Sequence, residues 1–232
     1  MNSVPEIAIG FDFDHTLGVD NALERKAFYA FAAELGAPLD PRDGVWPSRI
    51  EALLGAFRAG EITLEHMIAR FGEALGMRGA DPERWRALCY ALVEDLVRPI
   101  DGALELLDTL RARGIPLAIL TNGWSPLQQK KIARALGPGA VEEILVSDRI
   151  GAVKPDPAAF AALIDALGVP AGRAWYVGDN PRGDIGGALA AGLGAVWFDW
   201  EGQTYPPDVP PPTMRIGALR ELETLAQNTI AP

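Results

Sequence analysis

The chain has 232 residues, 49% hydrophobic and 22% charged, and a formal net charge of −10. This is enough apolar material for a real core and too little charge for disorder, and the length suits one large domain or a core with an insert. The acidic balance argues against a nucleic-acid backbone or an anionic membrane as the main partner, although local cations can reverse the field inside one cleft.

The N-terminus lacks the basic start of a secretory signal, and no apolar run approaches membrane-spanning length, so the cytoplasm is the expected address. The first expected element is a strand over residues 7–11, which runs into Phe11-Asp12-Phe13-Asp14-His15-Thr16-Leu17-Gly18. Strand alternation sends Asp12 and Asp14 to the same side. Two like charges that close repel unless a bound cation or a shared proton neutralises them. The bland alternative is that Asp14 only opens a turn before Gly18.

From about residue 21 to residue 98 no strand is expected, only helical stretches at 23–35, 48–59, 64–75 and 82–97, punctuated by Gly36, Pro38, Gly60, Gly76 and Pro99. This predicts an all-helical domain over residues 19–98, inserted in a core formed by 1–18 and 99–232. Gly18 and Gly102, near the junctions, are candidate hinges. The single Cys89 lies in one of these helices. It excludes an internal disulfide or a thiolate cluster and reads as a buried, inert thiol.

Beyond the insert, short apolar runs at 116–120, 144–146, 174–177 and 195–198 alternate with helical periodicity at 127–136, 157–167 and 185–191. Such alternation predicts an α/β fold, a doubly wound parallel sheet with helices on both faces, and ligands at the carboxyl ends of its strands. Gly192-Leu193-Gly194 lacks the third glycine of a dinucleotide site and reads as a turn. The proline-rich stretch 205–212 reads as a stiff connector to a last helix at 218–226.

Four strand ends then present polar groups: Asp12 and Asp14; Thr121, Asn122 and Gly123; Lys154-Pro155-Asp156; and Gly178-Asp179 followed by Asp184. In a parallel sheet all four meet at one edge. Asp12, Asp179 and Asp184 form an oxygen-only set suited to Mg²⁺. Lys154 and the Thr121 hydroxyl remain to face an anion, the combination that phosphoryl transfer needs. Asp14 is placed to protonate a leaving oxygen and then to activate water.

With these residues the chain resembles the haloacid dehalogenase-like hydrolase superfamily, in its branch with a helical cap of the first class. The family's D-x-D-x-T is matched by Asp12, Asp14 and Thr16, its second motif by Thr121, its third by Lys154 and its fourth by Gly178, Asp179 and Asp184. The resemblance implies a phosphatase with Asp12 as nucleophile and Asp14 as general acid and base. It implies Mg²⁺ held by Asp12, Asp179, the backbone carbonyl of Asp14, and Asp184 directly or through water. Thr121 and the backbone of Asn122 would grip the phosphate, and Lys154 would neutralise charge. Dehalogenases of this family lack the second aspartate and need no metal, so Asp14 favours phosphate ester hydrolysis. A sugar-phosphate mutase, or an idle relative that binds a phosphorylated ligand, would keep the same motifs.

The expected partner is a small phosphorylated metabolite. Trp124 has two readings, a stacking platform for a base or a plug beneath the cap. His15 could touch a leaving group or make only a local hydrogen bond. Arg42, Arg49 and Arg58 read a second anion or keep the surface wet, while Lys26 reads as solvated and His66 as structural.

Overall fold

The computed structural model describes residues 7–58 and 60–223. The chain divides into two compact units, Met1–Val19 with Arg98–Pro232, and Asp20–Val97. In the first, β1 (Ala8–Phe11) is buried along its whole length, and a turn leads to the two-residue β2 (Gly18–Val19). Gly18 is needed here for packing, since a side chain would start 2.5 Å from the Phe13 ring.

The second unit is helical: α1 (Leu23–Glu34), α2 (Val45–Arg58), α3 (Leu64–Ala74) and α4 (Pro82–Leu96). Thr63 and Asp81 cap α3 and α4 by accepting the backbone N–H of His66 and Glu83 at 3.3 and 3.0 Å. Its core is aromatic, with Phe28 packed 4.6 Å from Phe71 and 5.1 Å from Trp85, centroid to centroid. Cys89 is fully buried there, as expected, and Lys26 is exposed. His66 is exposed rather than packed, since the apolar stripe of α3 runs through Leu64, Met67, Ile68 and Phe71.

The chain returns to the first unit through β3 (Arg98–Pro99), antiparallel to β2. There follow α5 (Ala103–Ala112), β4 (Leu117–Thr121), α6 (Leu127–Leu136), β5 (Glu143–Val146), α7 (Ser147–Ile150) and α8 (Pro157–Leu167). After β6 (Ala174–Gly178), a π-helical turn over Pro181–Gly186 leads into α9 (Gly187–Ala190), then β7 (Gly194–Phe198) and β8 (Met214–Ile216). Six strands pair in parallel in the order β5-β4-β1-β6-β7-β8. The fold is doubly wound α/β. On one face Phe160, Leu163 and Leu167 of α8 and Ala188 of α9 pack with Ala8, Leu120, Tyr176 and Trp197. Alternation leaves Ile9, Phe11, Ile119, Val177 and Val196 for the opposite face, and they are buried too.

Several features depart from the expectations. Helices α5 and α7 have no counterpart among the expected elements, although Leu106, Leu107 and Leu110 give α5 a buried stripe. The β2–β3 ribbon has two residues a side, too few for any period to register. The proline-rich connector leads to β8, a sixth strand, and the expected helix at 218–226 begins as a 3₁₀ turn at Leu219–Glu221, with residues 224–226 outside the described residues. Residue 59, the expected end of α2, lies outside them as well. Among the described residues no helix is long and apolar enough to cross a membrane.

Candidate active site

Strand order places β1 between β4 and β6, so the chain leaves the sheet in opposite directions on its two sides, which opens a crevice at their carboxyl ends. Asp12 extends β1 by one rung, its N–H donating to Val177 O at 2.8 Å, and only 7% of it is exposed. Lys154 arrives on the loop after α7. Its ammonium donates to Asp12 Oδ1 at 2.7 Å, Asp184 Oδ1 at 2.7 Å and the Tyr176 hydroxyl at 2.9 Å, which engages all three protons. The Tyr176 hydroxyl in turn donates to Leu120 O at 2.7 Å.

Asp184 sits on the π-helical turn, where its Oδ2 accepts the Asn180 N–H at 2.9 Å. Gly178 makes that possible, because a Cβ there would lie 2.3 Å from this same oxygen. Asp179 is fixed through its carbonyl, which accepts Trp197 Nε1–H at 2.9 Å. One carboxylate oxygen from each of Asp12, Asp179 and Asp184 falls within 4.8 Å of the others. Burial pushes the Asp12 carboxyl up to about 7; Lys154 pulls it down and Asp184 adds to the rise. Burial, then the charges of Asp12 and Asp184, push Asp179 up to about 8. For Lys154, burial opposes the charged form, but Asp12 and Asp184 outweigh it and hold the ammonium well above its ordinary range. Once all three carboxylates are ionised they exceed the single ammonium by two negative charges, which a divalent cation with oxygen preference would balance.

Asp14 lies beside this cluster. Its Oδ2 accepts Gln128 Nε2–H at 2.8 Å and its Oδ1 pairs with the Lys131 ammonium. Gln128 Nε2 also donates to Thr121 Oγ1 at 2.8 Å, and the Thr121 hydroxyl makes a long 3.4 Å contact to Asn122 O. The Asn122 side chain braces two loops: Nδ2–H donates to Lys154 O at 3.1 Å, and Oδ1 accepts the Lys154 N–H at 2.9 Å. Ser147 locks the same loop from the other side, accepting Gly123 N–H at 3.0 Å and donating to Gly123 O at 3.1 Å.

The family profile for haloacid dehalogenase-like hydrolases matches residues 8–192, which include the four carboxylates, Thr121, Asn122, Gln128, Lys131, Ser147, Lys154 and Tyr176. The chain belongs to that family. It is 35% identical over 222 residues to a phosphoserine phosphatase of Thermus thermophilus, covering 91% of this chain and 88% of that protein. A phosphoglycolate phosphatase of Rhodospirillum rubrum is 34% identical over 208 residues, covering 82% of this chain and 78% of its own. Among solved structures, the magnesium-bound HAD hydrolase YfnB of Bacillus subtilis superposes with a TM-score of 0.76 at 24% identity, over 94% of this chain and 97% of that one.

Within this HAD-like hydrolase the motif residues converge, while the side candidates scatter. Trp124 is 6% exposed and packed away, so it offers no open face. His15 is exposed, with φ of 61°, and its carbonyl accepts Trp200 Nε1–H at 3.0 Å. Arg42 is bound to Asp40 in its own turn, Arg58 pairs with Glu24, and Arg49 lies 5.4 Å from the Trp46 ring centroid. Gln128, Lys131 and Tyr176 were passed over as site residues. The signal for the first two was present: Gln128 and Lys131 occupy the buried stripe of α6 with Leu127, Ile132, Ala135 and Leu136.

Proposed function

We propose that this hydrolase cleaves phosphate monoesters of a small metabolite through an aspartyl-phosphate on Asp12, with Mg²⁺ held by Asp12, Asp179, Asp184 and the backbone carbonyl of Asp14. The observation that carries this reading is a further carboxylate, Asp14, held by Gln128 and Lys131 beside the cluster of Asp12, Asp179 and Asp184. Halide displacement has no use for such a group, whereas an ester needs its leaving oxygen protonated and a water activated. The phosphoserine and phosphoglycolate phosphatases among its relatives support a small phosphorylated substrate. We assign the helical unit, Asp20–Val97, as the cap that selects it.

The steps follow from the residues. An Asp12 carboxylate oxygen forms a bond to phosphorus as the bond to the ester oxygen breaks, and Asp14 delivers a proton to that oxygen. The Thr121 hydroxyl and the Asn122 N–H hold the phosphoryl oxygens, and Lys154 stabilises their charge from its place against Asp12. Water then attacks phosphorus, Asp14 takes its proton, and the bond to Asp12 breaks, which restores the carboxylate. Bound Mg²⁺ supplies positive charge to the transferring group and to the crowded carboxylates.

The test is phosphate release from sugar phosphates, nucleoside monophosphates, phosphoserine, phosphoglycolate and an aryl phosphate, with and without Mg²⁺. Metal-dependent release is expected, and Asp12→Asn should lower it by about 10⁴-fold or more. Silence on every ester, from protein that binds Mg²⁺, would overturn the reading.

A further inference from the structure

We propose that α6 carries a two-residue clamp, Gln128 and Lys131, that positions Asp14 to activate water in the second half of the reaction. The inference rests on the phosphatase reading and adds to it the residues that hold Asp14 in place.

Gln128 and Lys131 are three apart on α6, so they share a face. Each is only 3% exposed, an unusual fate for these residue types. Two apolar side chains would pack that stripe without the desolvation cost of a buried ammonium, so packing gives no reason for the choice. Their contacts do. One donor meets each carboxylate oxygen of Asp14, Gln128 at Oδ2 at 2.8 Å and Lys131 at Oδ1. The Lys131 ammonium lies 5.7 Å from the ring centroid of Phe13, the residue between Asp12 and Asp14. Gln128 also donates to Thr121 Oγ1 at 2.8 Å, which ties the clamp to the phosphate-binding loop.

With one donor on each oxygen, Asp14 is held in a single orientation, and that orientation is the one we give to the base of the second half-reaction. Asp14 takes a proton from the attacking water as the water oxygen bonds to phosphorus and the bond to Asp12 breaks, and it then gives that proton to solvent. Gln128 and Lys131 touch neither substrate nor water in these steps, and act as positioning residues.

The test is Lys131→Met, which keeps the length of the side chain and removes the charge. Its kcat should fall on the order of 10²-fold with KM little changed. Acid-quenched enzyme in steady state should carry several-fold more covalent phosphate than wild type, and alkyl and aryl esters should converge on one kcat, because hydrolysis of the common intermediate now limits both. Lys131→Arg should restore part of the rate, which a packing role would not allow. If Lys131→Met fails to fold by its melting curve, Gln128→Met, which leaves the ion pair in place, is judged by the same readouts. A fall in kcat without accumulated phosphoenzyme, or no fall, overturns the clamp while an active wild type leaves the phosphatase reading standing. An inactive wild type overturns both.

Discussion

The helical unit and the carboxyl edge of the sheet handle charge in opposite ways. In the helical unit, Arg84 meets Glu34 with their side chains 54% and 36% exposed, and Arg42 forks onto Asp40 two residues away. At the sheet edge the Lys154 side chain is 4% exposed and reaches Asp12 across 142 positions of sequence, and Lys131 reaches Asp14 across 117. Surface pairs form wherever two long side chains are near, and water screens most of their attraction. Buried pairs need the whole fold to bring them together, and desolvation cancels much of their gain. The proposed site gathers several such buried pairs at one sheet edge, whereas the pair of Glu24 and Arg58 shows that a single buried carboxylate does not mark a site.

That contrast can be broken experimentally. Lys154→Met strands Asp12 and Asp184 as unpaired buried carboxylates and should cost about 3–5 kcal/mol in a denaturant titration, along with turnover. Adding Asp184→Asn should recover part of the stability and none of the activity. A loss no larger than that of a surface pair would remove the distinction. A smaller effect concerns protons. With Asp12 raised to about 7 and Asp179 to about 8, the native metal-free chain holds protons that an unfolded chain releases near pH 4. The native state therefore binds more protons across that window, and the metal-free protein should lose stability as pH rises from about 4 to 8. A Mg²⁺ ion held by the proposed carboxylates would displace the same protons, so its affinity should weaken as pH falls from about 8 toward 6, by up to about tenfold per pH unit for each proton displaced. Calorimetry in buffers of different ionisation enthalpy reads that release directly, and its absence would mean both carboxylates are already ionised. The smallest effect belongs to the surface: Arg84→Ala should move the melting midpoint by no more than about 2 °C and leave turnover unchanged.

How much could be read beforehand follows the same physical line. The convergence of Asp12, Asp14, Thr121, Lys154, Asp179 and Asp184 was legible because each stands at a strand end or on the loop that follows one, where a parallel sheet gathers its connections. Tyr176 was hidden because it sits inside the apolar run of β6 and looks like any core aromatic; its hydroxyl matters only once Lys154 is known to lie 2.9 Å away. Gln128 and Lys131 were hidden by a run of four polar residues, Gln128-Gln129-Lys130-Lys131, in which only register on the helix tells buried from exposed. Strand β8 is three residues long and follows prolines, so neither length nor composition announces it.

That last strand also bears on how the protein behaves when crowded. A sheet edge is a template on which another chain can add a strand, and among the described residues this sheet ends at β5 and β8. β8 offers three residues, preceded by Pro210, Pro211 and Pro212, which have no N–H to donate, and its middle position is Arg215, paired with Asp199 and lying 4.8 Å from the Trp197 ring centroid. β5 offers four, opening on Glu143 after Glu142. Both margins are too short and too charged to recruit a stranger, so the segment that sequence patterning overlooked is one of the protein's defences against aggregation.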